Sequence, residues 1–178
     1  TINIESHRVN VDFTVVDDHF EEPQPLEDVT IDIPKLGGSP IPTDANGQTQ
    51  ARLPVNDNYE LTVVLDGYQE TTTVLSLGQE PTEIELQTQR DPSISINQLQ
   101  DAIVVGQPTQ VTITNAYEEP VENARVTLNG ANVGRTDPNG QIVFNITQAG
   151  NNTIEASANG LTDSTTLEGV DPNADDEE

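Results

Sequence analysis

The residues with the most suggestive chemistry are two copies of one hexapeptide. Thr43-Asp44-Ala45-Asn46-Gly47-Gln48 returns 93 residues later as Thr136-Asp137-Pro138-Asn139-Gly140-Gln141. An aspartate and an asparagine two residues apart, ahead of a glycine, begin an oxygen-ligand loop of the kind that holds calcium. Such a loop needs more oxygen donors at fixed positions and a bidentate glutamate at its end, and neither copy has that glutamate. The other chemistry open to Asp-x-Asn-Gly is backbone shape. The aspartate accepts N–H bonds from residues just ahead of it, and asparagine and glycine adopt positive φ at little cost. Asp44, Asn46 and Gly47, with Asp137, Asn139 and Gly140, are therefore read as structural turns and not as metal ligands.

The remaining reactive side chains form no pattern. His7 and His19 have no metal-ligand spacing. They fall in strand-edge or loop positions, a poor setting for the base of a hydrolytic triad. Carboxylate pairs for glycoside cleavage are so abundant that no pair stands out, and no glycine-rich phosphate loop occurs. The expectation is no catalytic residue, no cofactor site and no metal site. Asn145-Ile146-Thr147 and Asn151-Asn152-Thr153 are glycosylation sequons, so Asn145 and Asn151 are acceptors if the chain is exported. A chain this rich in Asn, Ser and Thr yields about two or three such triplets by chance. Phe13, Tyr59 and Phe144 sit in alternating segments and are assigned to the core. Phe20 and Tyr117 fall in loops and are the candidate platform for a surface glycan.

The segments that must position these residues are short and alternating. Val9–Val15, Val29–Ile33, Gln50–Pro54, Tyr59–Leu65, Thr71–Leu75 and Thr82–Leu86 read as strands in the first half. Ser93–Ile96, Gln110–Thr114, Ala124–Leu128, Ile142–Ile146, Thr153–Ala158 and Ser164–Leu167 do so in the second. The proline- and glycine-rich stretch Lys35 to Pro42 reads as a connection. No segment keeps a helical period over three turns. The hexapeptide's surroundings repeat as well. Pro25-Leu26-Glu27-Asp28-Val29 matches Pro120-Val121-Glu122-Asn123-Ala124, and Asp66-Gly67-Tyr68 matches Asn159-Gly160-Leu161. A repeat this long is a domain duplication, since solenoid repeats run to about 20–50 residues. The expected fold class is all-β, two tandem Ig-like antiparallel β-sandwich domains. The expected domains are 1–88 and 93–170, joined by a linker at 89–92 and followed by an acidic, flexible tail at 171–178.

Charge bounds the partners. The 178 residues carry 31 Asp and Glu against 6 Lys and Arg, a net charge of −25, and Lys35 is the only lysine. Nucleic acid and anionic membrane both require Lys/Arg patches, so neither is expected as a direct partner. No apolar run is long enough to span a bilayer. Self-repulsion at this charge destabilises a compact domain in dilute buffer. In molar salt the Debye length falls to about 3 Å and the repulsion vanishes. The composition is read as halophilic, of haloarchaeal type. There is no cysteine, hence no disulfide framework.

The motifs also resemble known families. Residues 9–86 resemble the carboxypeptidase regulatory-like, transthyretin-like domain in Pro25-Leu26-Glu27-Asp28-Val29, Thr43-Asp44-Ala45-Asn46-Gly47, Tyr59-Glu60-Leu61-Thr62-Val63 and Gly67-Tyr68. Residues 93–168 are similar to bacterial and archaeal Ig-like repeats of the Big or invasin type. That similarity lies in Val104-Val105-Gly106-Gln107-Pro108, Val121–Leu128, Thr136–Gly140 and Ala149-Gly150. Leu161 stands where Tyr is common, a difference of packing. The resemblance implies modules of cell surfaces, adhesins and tailed-virus particles, with no catalytic residue to transfer. The resulting expectation is a non-enzymatic structural or adhesion module whose partners are proteins of a larger assembly, other copies of itself among them. The first choice is a haloarchaeal virus virion protein, a capsid decoration, turret or tail component at the virion surface. The absence of a leader pattern in Thr1-Ile2-Asn3-Ile4 tips the choice that way. The alternatives are a fragment of an exported haloarchaeal cell-surface adhesin and an accessory carbohydrate- or protein-binding module of a secreted hydrolase.

Overall fold

The computed structural model describes residues 7–173. Thr1-Ile2-Asn3-Ile4 and residues 174–178 of the expected tail lie outside the described residues. The chain divides into two units between Asp91 and Pro92, and all of its regular structure apart from one 3-10 turn is β-strand among the described residues.

The first unit contains β1 (Arg8–Asp17), β2 (Gln24–Pro25), β3 (Thr30–Asp32), β4 (Ile41–Pro42), β5 (Gln48–Pro54), β6 (Asp57–Val64), β7 (Thr71–Leu77) and β8 (Thr82–Thr88). One sheet is built on β1, which pairs β2 and β5 along one edge and β8 along the other. The facing sheet runs β4-β3-β6-β7. Alternation decides which side chains meet between them, because successive residues of a strand point to opposite faces. Val9, Val11, Phe13 and Val15 of β1, with Leu53 and Leu86, pack on Ile31, Tyr59, Leu61, Val63, Leu75 and Leu77. The stretch expected to be a bare connection, Lys35 to Pro42, holds the end of the 3-10 turn Pro34–Leu36 and β4. Proline at the start of the turn supplies a helical φ, and Gly37 at φ 60° ends it.

The second unit contains β9 (Ile94–Gln98), β10 (Ala102–Val104), β11 (Pro108–Asn115), β12 (Arg125–Leu128), β13 (Ala131–Arg135), β14 (Gln141–Asn145), β15 (Gly150–Ala158) and β16 (Leu161–Val170). Its sheets run β14-β11-β9 and β10-β16-β15-β12-β13. Val111, Ile113, Phe144 and Ile94 face Val126, Leu128, Ile154, Ala156 and Leu167. β10 and β13 escape the sequence reading because neither alternates cleanly. β13 carries a bulge, where the register against β12 shifts after Val126.

The fold is therefore a tandem pair of Ig-like β-sandwiches. Pairing is antiparallel except for β1 with β8 and β10 with β16, which run parallel. The residues expected as linker are tied to the first unit. Arg90 bridges Tyr68, Gln69 N–H donates to the Gln89 carbonyl at 2.8 Å, and Asp91 N–H donates to the Gly67 carbonyl at 2.9 Å.

Candidate functional site

The duplicated turn is the same object in both units. The Asp44 carboxylate accepts the N–H groups of Asn46 and Gln48, each at 2.9 Å. Asp137 accepts those of Asn139 and Gln141, again at 2.9 Å. Gly47 and Gly140 both sit at φ 70°. A Cβ on Gly47 would lie 2.5 Å from the Val15 carbonyl oxygen, and one on Gly140 would lie 2.5 Å from that of Ile113. The buried threonine before each turn pins it to the preceding loop. Thr43 Oγ1 donates to the Leu26 carbonyl at 2.6 Å and accepts the Val29 N–H at 3.1 Å. Thr136 does the same with Val121 and Ala124, at 2.6 and 2.9 Å. One oxygen of each aspartate, Oδ1, is thus engaged by two backbone donors. Among the described residues, no group of three or more His, Asp or Glu side chains is placed to hold a metal ion.

Each of the other residues singled out from sequence has its own setting. Phe13, Tyr59 and Phe144 are in the two cores. Phe20 is 42% exposed, edge-on to the His19 ring with centroids 5.0 Å apart. Tyr117 is half-buried and belongs to the other unit. Asn145 ends β14 and Asn151 lies in β15, both exposed. Asn152, the next residue after Asn151, is fully buried. Its Nδ2 donates to the Gln148 and Gly150 carbonyls and its Oδ1 accepts from Asn129.

Lys35 forms an ion pair with Asp57 and lies 5.6 Å from the Tyr59 ring centroid. The hydrogen bond from Lys35, aided by the Asn58 N–H, holds the Asp57 carboxyl below its ordinary pKa. Tyr59 donates its hydroxyl to the Pro54 carbonyl at 2.7 Å, and burial raises its pKa. Asp17, at the end of β1, is the one carboxylate buried among the described residues.

The sequence reading missed a cleft of about 510 Å³ in the second unit. Glu122, Asn123, Arg125, Arg135 and the turn Asn159-Gly160 line it. Arg125 and Arg135 are ten residues apart and become direct cross-strand neighbours on β12 and β13. The signal was present, since two of only six cations flank the hairpin turn Asn129-Gly130. A regular hairpin pairing Leu128 with Ala131 would set Gly134 opposite Arg125. The bulge advances the register by one and brings Arg135 there instead.

No protein-family model matches this chain, and no curated protein matches it in sequence. Among solved structures it is similar to BcpA, the major pilin subunit of Bacillus cereus. One BcpA structure, of a variant, aligns at a TM-score of 0.53 and 14% identity, over 90% of this chain and 68% of the pilin's. Another aligns at 0.51 and 13% identity, over 90% and 67%. The likeness is one of fold. It extends across both sandwiches, because the alignment takes in nine-tenths of the chain.

Proposed function

We propose that this chain is a non-enzymatic structural or adhesion module of a surface assembly that works in strong salt. The observation that carries the reading is the distribution of side chains over the two sandwiches. Their interiors are almost wholly apolar, while the surface of a chain with 31 acidic and 6 basic residues takes nearly all the charge. Such a surface repels itself in dilute buffer and is relieved by salt. The tandem fold supports the reading, since the BcpA structures that share it are of a pilin subunit.

At finer resolution the proposal is a haloarchaeal virion component, with a carboxypeptidase regulatory-like sandwich followed by one of Big or invasin type. The second reading, a part of an exported cell-surface protein, is favoured by the exposure of both sequon asparagines, Asn145 and Asn151. Intact mass of the native protein separates them. Unmodified chain co-purifying with virus particles supports the first. Glycan on Asn145 or Asn151 in envelope fractions supports the second. Salt dependence tests both: stability that is unchanged or higher on removing salt sinks the halophilic assembly.

A further inference from the structure

Arg125 and Arg135 stand directly opposite each other on adjacent strands, both exposed. Like charges so placed destabilise a sheet, and among the described residues no ion pair joins either arginine to the carboxylates nearby, Glu122 and Glu155. The Arg125 guanidinium has no hydrogen-bond or ion-pair partner among the described residues. Arg135 makes one hydrogen bond, from Nη1 to the Asn123 carbonyl at 2.8 Å. Glu122 lines the same cleft and is ion-paired to neither. Two guanidinium forks facing one cleft match carboxylates, which they bind through paired, charge-assisted hydrogen bonds.

We propose that this cleft takes the acidic segment 171–178 of a second copy of the chain. The inference rests on the assembly reading and names the contact that builds it. Charge complementarity is the first argument. The segment Asp171-Pro172-Asn173-Ala174-Asp175-Asp176-Glu177-Glu178 carries five carboxylates and no cation. Reach is the second. The cleft lies at the Asn159-Gly160 turn, where β16 begins, and the segment leaves from Val170, where β16 ends. Ten residues of strand separate the two by about 30 Å. Eight residues stretch to at most about 29 Å, and these would first have to reverse direction. Arg125 is level with Thr162, about 26 Å from Val170 along the strand. Once the chain has turned back, the roughly five or six residues left span only about 20 Å, so the segment meets the cleft of a neighbour more readily than its own. Cleft and segment sit at opposite ends of one strand, so two copies either exchange segments in a closed pair or pass them on from copy to copy.

Sedimentation velocity of the full chain in about 1 M salt, where the Debye length is about 3 Å, should show association that grows with concentration. Arg125→Gln, an exposed change, should weaken it by about tenfold or more, as should a chain ending at residue 170. The synthetic peptide of residues 171–178, added to that shortened chain, should move the amide resonances of β12 and β13. The same peptide should leave an Arg125→Gln version unmoved. Association that survives both changes overturns the inference and leaves the assembly reading standing. So does a cleft that takes an oligoglucuronate while ignoring the peptide. A full chain that stays monomeric, with no response to the peptide, also overturns it. The assembly reading is then decided by whether particles or envelopes contain the protein.

Discussion

The two sandwiches close the same gap with different strands. In the first, the free edge of β1 is taken by the last strand of the unit, β8, in parallel over seven residues. In the second, the equivalent edge of β11 is taken by the first strand of the unit, β9, antiparallel over five. Both solutions place one buried aliphatic and one half-buried isoleucine over the core, Leu86 with Ile84 and Ile94 with Ile96. The comparison teaches that the demand belongs to the core. An edge that leaves Phe13 or Ile113 open to water must be covered, and the chain meets that demand from either end. What is held constant is the apparatus around the turn, whose hydrogen bonds agree between the units within a few tenths of an ångström.

The comparison breaks first, if it breaks, at the glycines. Gly47→Ala and Gly140→Ala force a Cβ against a carbonyl oxygen at positive φ. Each should cost its own unit about 3–5 kcal/mol, read by denaturant unfolding in strong salt with resolved amide signals. A large effect in one unit and none in the other would show that the two turns are not equivalent. The covering strands come next. Leu86→Ala should cost about 2–5 kcal/mol and Ile94→Ala the lower end of that range, because Ile94 retains 7% exposure against 2%. Hydrogen exchange should then speed up across β1 in one case and β11 in the other. Thr43→Val and Thr136→Val keep the shape and remove the hydroxyl that bridges a carbonyl and an N–H. Each should cost about 1–3 kcal/mol, and unequal values would locate a difference the geometry conceals. The smallest effect belongs to the first unit alone. Asp57 is held below its ordinary pKa of 3.8 by Lys35, so the unfolded chain takes up its proton first as pH falls. The pair's contribution is complete above that value and fades as pH drops through the lowered one. Acid titration of Asp57→Asn beside the parent chain should show this as a small loss confined to that window.

Much of this was legible in the order of residues. Alternation in Val9–Val15 and Tyr59–Leu65 set the strands and their inward faces. The repeated Thr-Asp-x-Asn-Gly-Gln announced the duplication, because few other residues satisfy a positive φ pressed against a neighbouring carbonyl. Strand order was not legible. The pattern of Thr82–Thr88 is compatible with either sheet, and only competition for the edge of β1 selects one. β10 and β13 went unseen because three residues, or a bulged five, give too little periodicity. The arginine cleft went unseen for the same reason, since the bulge that brings Arg135 beside Arg125 is a property of the paired strands.

The parallel seam between β1 and β8 has a mechanical consequence. A tether pulled through the two ends of the first unit loads these strands along their length, so the bonds from Val11 to Asp17 are sheared together rather than unzipped one at a time. In the second unit the chain enters through β9 and leaves through β16, which belong to different sheets. Among the described residues they are joined only by side-chain bonds, Ile96 N–H to Asp163 Oδ2 at 2.8 Å and Gln98 Nε2 to the Thr166 carbonyl at 3.2 Å. Only the three-residue ladder of β10 joins the exit strand in parallel. Under tension the second sandwich should extend at the lower force, leaving the first as the grip that holds.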